Sequence, residues 1–581
     1  MRHIFRLFLI IGLVLHQATL APAQSVTFSE FPAHLQLYPR DAQDSAVVAV
    51  SGWVSSPGYQ SITLKVFRDT ILWQNQSQNL IFSGGQAPFS FSPKIVAGLY
   101  EYRFEVWLDE QLVAEEDSIT CGDVFLINGQ SNSHPNASSY NFKSEFCRSF
   151  GKHTNYDDYD PADTTWGLST PRGWCSDCDY AVGTWGLRLQ QLILENYQMP
   201  TCFINGGSGG SSISYNLPDS NDHMNLSTTY GRLLYRATKA HVQNNVKAIF
   251  WHQGESDSNT PDADYYAGRF DTLYNAWKQD YHPLTKVYVF QLHPGTCGSD
   301  RQSDVRETQR NFKKTYDNVH VMATCGLVGH DGCHYNDDGY LEMAAWVFRL
   351  VARDFYGATD TMHIEAPDIR DVYYQNANHT AIAIEYDQPV IWPDDTLNHS
   401  MKDYFYLDDD FGYVKQGYTI NNGYTVVLEL NTSLNARLLT YLPNATYNRL
   451  PTAAYEGPWI RNERGVGALS FYHVPIESGP STVDHTPLLP TNVYLKTYPN
   501  PTNAGMRVVL TLRQPRHLKV SVFDISGREV TVLADRSFRS GTFNLNWNGT
   551  DANGKHLASG QYFIHVTGQN VNLVKKIVLA R

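Results

Sequence analysis

Apolar positions along the chain follow two regimes. From about residue 26 to 120 they alternate with polar ones in short runs, among them His34-Leu35-Gln36-Leu37, Ala46-Val47-Val48-Ala49-Val50, Ile62-Thr63-Leu64-Lys65-Val66-Phe67 and Tyr100-Glu101-Tyr102-Arg103-Phe104-Glu105-Val106. Turn clusters such as Ser83-Gly84-Gly85 separate these runs. Alternation between turns predicts half-buried strands and a β-sandwich, suited to a spacer or docking role. Between about 121 and 357 the period changes. Residues 124–127, 248–251 and 287–290 are continuous apolar runs, the mark of strands buried on both faces. Between them apolar residues recur at helical spacing: Trp185, Leu189, Leu192 and Ile193; Leu233, Leu234, Ala237 and Ala240; then Leu341, Ala345, Phe348, Val351, Ala352 and Phe355. Strands alternating with helices predict a parallel sheet covered on both sides, with ligands bound beyond its carboxyl ends. Residues 364–476 return to β character, a Pro/Ser/Thr-rich stretch follows, and from Tyr494 the pattern is again all-β. The expected organisation is a signal peptide over 1–23, β-sandwiches over 24–118 and 361–476 around an α/β domain over 119–360, a linker over 477–493 and a terminal β-domain over 494–581.

Composition narrows the class. With 581 residues, 18% charged and 42% hydrophobic, the chain is too apolar for disorder, and 41 glycines and 27 prolines interrupt it too often for a coiled coil. A net charge of −13 without a long basic run argues against nucleic acid or an anionic membrane surface as partner. Arg2 and Arg6 precede an apolar run over 7–15 that is too short to span a bilayer, and Ala21-Pro22-Ala23 supplies a small-x-small cleavage pattern. An exported chain without a transmembrane anchor is therefore expected, starting at Gln24. Export makes disulfides the default reading of Cys121, Cys147, Cys175, Cys178, Cys202, Cys297, Cys325 and Cys333, with the pairing open. Cys175-Ser176-Asp177-Cys178 has no second such pair to complete a zinc site, so no metal is expected.

Serine is a poor nucleophile until a histidine takes its proton and an acid orients that histidine. Three separated pieces of sequence supply these parts. Ser131 lies in Gly129-Gln130-Ser131-Asn132, directly after the first buried strand, and Asp331 and His334 lie in Asp331-Gly332-Cys333-His334, where one turn can aim both side chains at one cleft. No G-x-S-x-G elbow is present around Ser131, which disfavours the α/β-hydrolase fold. Two further strand-end loops offer donors for an oxyanion. One is Gly206-Gly207-Ser208-Gly209-Gly210-Ser211-Ser212-Ile213; the other is His252-Gln253-Gly254-Glu255-Ser256-Asp257. The Gln253 amide could join the backbone N–H of Ser131 and of a glycine near Gly210, while Glu255 is open between bracing the loop and touching substrate. His252, His293 and His330 also lie near strand ends, but none has an acid three residues before it, so packing or solvent contact is the expectation for each.

These four blocks resemble the SGNH hydrolase superfamily, in its sialate O-acetylesterase-like and acetylxylan-esterase-like branch of carbohydrate esterases. The resemblance implies Ser131 as nucleophile, His334 as base, Asp331 as its orienter and Gly210 and Gln253 as oxyanion donors, with no cofactor. Gln130 stands where many members carry Asp, and Gln253 replaces the usual block-three Asn; Gly206, Gly207, Gly209 and Gly210 all compete for the glycine role. Gln130, Asn132, Gly209, Glu255 and Arg306 are expected to support the site or touch substrate. Ser303, Arg306 and Gln309 also resemble positions of this branch, with a solvated helix face as the alternative for Arg306. The terminal segment, with Tyr498-Pro499-Asn500-Pro501, the run Val522-Phe523-Asp524-Ile525-Ser526-Gly527-Arg528, Trp547-Asn548-Gly549-Thr550-Asp551 and Ser559-Gly560-Gln561-Tyr562-Phe563, is similar to the type A C-terminal sorting domain of type IX secretion. That likeness implies the secretion machinery as a partner and delivery outside the outer membrane.

Residues 133–183 read as a long irregular insertion with Trp166, Trp174 and three cysteines, suited to a substrate-shaping lid; its acidic run Tyr156-Asp157-Asp158-Tyr159-Asp160 lacks the EF-hand pattern and is unassigned. The expected activity is removal of O-acetyl groups from carbohydrate. The alternatives are an inactive carbohydrate-binding protein of the same fold and an esterase for longer acyl chains.

Overall fold

The computed structural model describes residues 25–479, apart from 136–137, 153–158, 173–179, 296, 298, 397–398 and 443–456, and residues 493–580, apart from 499, 504, 513–514, 540 and 569–570. The signal peptide, Trp174, Cys175, Cys178 and most of the acidic run of the insertion lie outside the described residues. The chain divides into two compact units, Met1–Pro480 and Ser481–Arg581.

The first unit starts with two antiparallel layers. Val26–Glu30, Val50–Val54 and Ala87–Phe91 form one; Ser61–Arg68, Ile71–Asn79 and Tyr102–Leu108 form most of the other. Inward residues such as Val54, Ile62, Leu64, Phe104 and Val106 share one buried core, as the alternation requires. The sequence pattern placed strands over 34–37 and 46–50, whereas the structure has Leu37–Pro39, Ser45–Val47 and Val50–Val54.

A single 19-residue strand, β1 (Gln111–Gly129), leaves these layers and enters the central sheet. Its first half pairs antiparallel with Tyr102–Leu108 and its second half is buried on both faces. The central sheet adds β2 (Cys147–Phe150), β3 (Trp166–Leu168), β4 (Thr201–Asn205), β5 (Val246–His252), β6 (Lys286–Phe290) and β7 (Val319–Met322) in the order β3-β2-β4-β1-β5-β6-β7. All pairings are parallel except β2 with β3. Helices α1 (Thr184–Tyr197), α2 (Thr229–Lys239), α3 (Asp262–Asp280), α4 (Gln302–Thr315) and α5 (Asp337–Tyr356) connect or follow the strands. α1 packs on α5 and α3 on α4. Two of these, α3 and α4, were not singled out by the apolar spacing; α3 buries Tyr266, Phe270, Tyr274 and Trp277 along one face.

Ignoring the edge pair β2–β3, the strands run second, first, third, fourth, fifth, so the chain reverses its direction of winding between β1 and β5. A reversal of this kind opens a crevice at the carboxyl ends of the two strands. The insertion after β1 is not irregular throughout: β2 and β3 extend the sheet, and Trp166 is buried edge-on against Phe150 instead of lining a cleft.

Beyond α5, Ile369–Tyr374, Ala381–Tyr386, Thr425–Leu430 and Val414–Ile420 form one antiparallel sheet, and Phe405–Leu407, Leu438–Tyr441 and Phe471–Pro475 another. Their shared core also takes in Cys325 of the central domain. Polar contacts fix this third domain to the central one: Gln291 Nε2 donates to Ser470 O (2.9 Å), Ser470 N donates back to Gln291 Oε1 (2.9 Å), and Asp368 pairs with Arg310 and Lys313, both at 2.9 Å. The second unit, described by itself, has two antiparallel sheets of three and four strands around Val508, Leu510, Val520, Ile564 and Ile577.

The cysteines meet the expectation of disulfides only in part. Among the described residues one disulfide forms, Cys297–Cys333, while Cys121, Cys147, Cys202 and Cys325 are buried thiols. Burial pushes Cys121, Cys147 and Cys325 up to about 12, so they pack as small apolar groups. Among the described residues no helix is long and apolar enough to cross a membrane.

Candidate active site

The first loop of the candidate site begins where β1 ends. Gly129 has φ +140°, and a Cβ there would lie 2.2 Å from His252 O, so only glycine lets the strand turn this close to β5. Gln130 N donates to His252 O (3.0 Å), and Ser133 N and His134 N donate to Gln130 O, both at 2.9 Å. This tight turn leaves Ser131 half-buried at its tip while Gln130 and Asn132 point inward, each 2% exposed.

Those two side chains tie the loops together. Gln130 Oε1 accepts N–H bonds from Gly254 (3.2 Å) and Ser256 (3.1 Å) and from Gln253 Nε2 (3.2 Å), which braces the loop after β5. Asn132 Nδ2 donates to Glu255 Oε1 (2.8 Å) and to Cys333 O (3.0 Å), and its Oδ1 accepts from Tyr340 Oη (2.9 Å). The turn carrying Ser131 and the turn carrying His334 are thereby joined through a residue adjacent to each.

The second turn is a hairpin held by its own backbone. His330 bridges to Tyr335, Asp331 N donates to His334 O (2.9 Å), and Asp331 Oδ1 accepts from Cys333 N (2.8 Å) and His334 N (2.7 Å). Those two N–H groups outweigh the upward push of desolvation and hold Asp331 below the ordinary carboxylate range. Cys297 N donates to Gly332 O (2.5 Å), and the Cys297–Cys333 disulfide fastens the hairpin to the loop after β6. α5 starts just beyond, with Asn336 Oδ1 accepting from Gly339 N (3.0 Å) as its N-cap. His334 lines a cleft of about 660 Å³ together with Ser138, Arg172, Tyr335 and Tyr340. A cleft of similar volume, about 690 Å³, opens between the first domain and Trp166, Lys239 and His241, but it contains none of the motif residues.

The glycine run sorts itself by backbone bonding. Gly206 N donates to Ile127 O (2.8 Å), Gly207 N to Asn205 Oδ1 (2.8 Å) and Ser208 N to Gly129 O (2.9 Å). Among the described residues the N–H groups of Gly209 and Gly210 have no protein acceptor, and both residues are exposed. Gly210 has φ +68°, and Ser256 Oγ donates to its carbonyl (3.0 Å).

Several expected roles change. Gln253 is fully buried, and its amide donates to Asp257 Oδ2 (2.5 Å), Ser211 O (3.1 Å) and Gln130 Oε1, so it welds loops instead of facing an oxyanion. The Asp331 carboxylate holds the hairpin's backbone; among the described residues no hydrogen bond or ion pair joins it to the His334 ring. Arg306 is 1% exposed, not on a solvated face, and donates to Ser303 Oγ (3.1 Å) and to Leu442 O of the third domain (2.6 Å). Gln309 Nε2 donates to Gln253 O (2.9 Å), bracing the same loop from α4. His252, His293 and His330 are all buried, as packing predicts.

Two contributors were missed. Asp257 accepts from Ile213 N (2.8 Å) as well as from Gln253, linking the glycine loop to the loop after β5. Its signal was its place in the run that begins at His252. Tyr340, which holds Asn132, had none beyond lying at the start of α5.

Behind these loops burial works against charge on the ionisable groups. Desolvation raises Glu255 to about 7, against which the Asn132 hydrogen bond works, and its Oε2 has no hydrogen-bond partner among the described residues. Desolvation, with His330 and His334 nearby, lowers His252 to about 3, and desolvation lowers His330 to about 4. His252 Nε2 lies 3.8 Å from Glu255 Oε1, and because the imidazole is uncharged at neutral pH this contact is not a salt bridge there.

Residues 121–353 match the family model of the carbohydrate esterases described as sialic acid-specific acetylesterase. The match lies within the central domain and spans the strand-end loops described above. Residues 496–580 match the secretion system C-terminal sorting domain, which marks the esterase for export across the outer membrane. A carbohydrate acetylesterase from Xanthomonas citri is 15% identical with a TM-score of 0.53, over 77% of this chain and 99% of its own. An Arabidopsis thaliana protein is 17% identical with a TM-score of 0.32 over 40% of this chain and 99% of its own, and NanS is 14% identical with a TM-score of 0.32 over 41% and 99%. The likeness to the Xanthomonas protein is one of fold. No curated protein matches the chain.

Proposed function

We propose that this exported esterase is an SGNH-type serine enzyme that removes O-acetyl groups from carbohydrate. Ser131 Oγ attacks the ester carbonyl, His334 takes its proton and returns it to the departing sugar hydroxyl, and water then frees the acetyl group as acetate. The observation that carries this reading is the Asn132 bridge: its bonds to Cys333 O and Glu255 hold the two turns together at the strand reversal. Asp331 stays ionised beside the imidazolium formed during turnover, and its Oδ2, without a hydrogen-bond partner among the described residues, is the atom to receive the ring N–H once substrate closes the site. The exposed N–H of Gly210, or of Gly209 beside it, supports an oxyanion hole completed by Ser131 N–H. No step calls for a metal or organic cofactor.

The test is Ser131→Ala assayed on an activated acetyl ester and on acetylated glycans. Loss of acetate release by at least about a thousandfold with an unchanged melting temperature is expected; activity within about tenfold of the parent rejects Ser131 as nucleophile. Sialic acid, xylan and other acetylated glycans, run in parallel, identify the sugar.

A further inference from the structure

We infer that the third domain is a working part of the active site, and that Trp459 is its positioning residue. This rests on the assignment of His334 as base. The hairpin carrying Asp331 and His334 leans on a file of rings. His330 Nδ1 accepts the Gly332 N–H (3.1 Å). His330 stacks face to face on His293, with centroids 3.8 Å apart and an interplanar angle of 14°. Trp459 closes the file edge-on to His293 at 5.5 Å and 81°. On its other side His330 meets Tyr335 at 4.8 Å, and Tyr335 meets Tyr340, which holds Asn132. The rings are 2–7% exposed, so a gap in the file cannot be filled by bulk water without disturbing its neighbours.

Trp459 is itself anchored in the third domain. The next residue, Ile460, donates its N–H to Tyr441 Oη (3.0 Å) and accepts at its carbonyl from Ala468 N (2.8 Å). The third domain in turn is clamped to the strand end before His293 by the paired Gln291–Ser470 bonds. The position of His334 is thereby referred to two domains at once. A flanking module that served only as a tether or a glycan binder would have no reason to insert a tryptophan here.

Removing the indole lets His293 and His330 shift, and with them the Gly332 N–H and the His334 ring. Displacements of about 1 Å at a reacting group cost up to about a hundredfold in rate. In the full chain, Trp459→Leu should therefore lower kcat on an activated acetyl ester by at least about tenfold and leave KM within about twofold, whereas Trp459→Phe, which keeps an aromatic edge, should recover most of the rate. Tyr418→Ala, on an exposed strand of the same domain, is the control for general disturbance of that domain. A Trp459→Leu protein that melts cooperatively and retains kcat within about twofold overturns the inference, as does an equal loss in Trp459→Phe or in the control. Should the parent itself show no turnover, the proposed function fails, and the inference is decided instead by the His334 ring resonance in histidine-labelled protein, assigned with His334→Gln. A shift in Trp459→Leu supports it, and an unmoved resonance overturns it.

Discussion

Two buried carboxyl groups sit at opposite ends of the central sheet. At the amino end, Asp123 on β1 is 1% exposed and saturated with partners: Arg40 binds both its oxygens (2.8 and 2.7 Å), Tyr356 Oη donates to Oδ2 (2.8 Å) and Lys247 Nζ lies 3.6 Å away. At the carboxyl end, Glu255 is 3% exposed, and among the described residues it has no Lys or Arg partner, holds one side-chain amide and leaves Oε2 without a hydrogen-bond partner. The first is a charge surrounded by countercharge, joining the first domain to the sheet. The second keeps its proton up to about pH 7 because ionising it there would leave an uncompensated charge. A fold that can saturate one carboxylate so fully and leaves the other bare has separated its structural end from the end that must accommodate a changing charge during catalysis.

The sharpest break of this contrast is Asp123→Ala. It strands Arg40 and Lys247 beside a pocket that no longer neutralises them, and removing one partner of a buried ion pair costs about 3–5 kcal/mol. Urea unfolding should show that loss, while kcat per folded molecule stays near the parent's, because the site lies at the other end of the strands. A large fall in kcat in the folded fraction would mean that the two ends are not independent. Next in size is Asn132→Ala, which removes the amide hydrogen-bonded to Glu255 Oε1, Cys333 O and Tyr340 Oη together. A stability loss of about 2 kcal/mol is expected, with a fall in kcat of about a hundredfold as the Ser131 and His334 turns separate. Stability loss without that fall would show that the bridge does not align the turns.

What the sequence disclosed, and what it withheld, follows the range of the interactions. The buried strands at 124–127, 248–251 and 287–290 were legible because burial on both faces writes a local apolar run. The loops at Ser131, Gly206, His252 and Asp331 were legible as polar segments abutting those runs or their helices. Roles that depend on a distant partner were not. Gln253 reads as a free donor until Asp257 and Ser211 are seen to occupy its amide, and Arg306 is open between a brace or substrate contact and a solvated face until the third domain covers it. The cysteines misled for a related reason: an exported chain predicts disulfides, but Cys202 lies inside a fully buried strand, where a thiol fills space without a bond. Trp459 carried no signal, since its meaning lies in a stack whose other members are more than a hundred residues earlier in the chain.

The smallest effect isolates the neutral carboxyl itself. Glu255 has an ordinary pKa of 4.5 when exposed and about 7 in the folded protein. Between those values the unfolded chain has released a proton that the folded chain retains, so this group makes stability fall as pH rises across the window. His252 and His330 act in the other direction: their folded values, about 3 and about 4, lie below the ordinary 6.5, so the stability they lend is lost as pH drops below 6.5. Glu255→Gln keeps an acceptor for Asn132 Nδ2 and removes only the titration. Parent and variant should therefore unfold at the same urea concentration below pH 4.5 once a constant offset is subtracted. The variant should gain progressively toward pH 7, by about 1–3 kcal/mol, and run parallel to the parent above it. The acid-side decline set by the two histidines should survive in both proteins. Curves that stay parallel from pH 4.5 to 8 would mean that Glu255 is already ionised in the folded state, and the contrast with Asp123 would then rest on partners alone and not on charge.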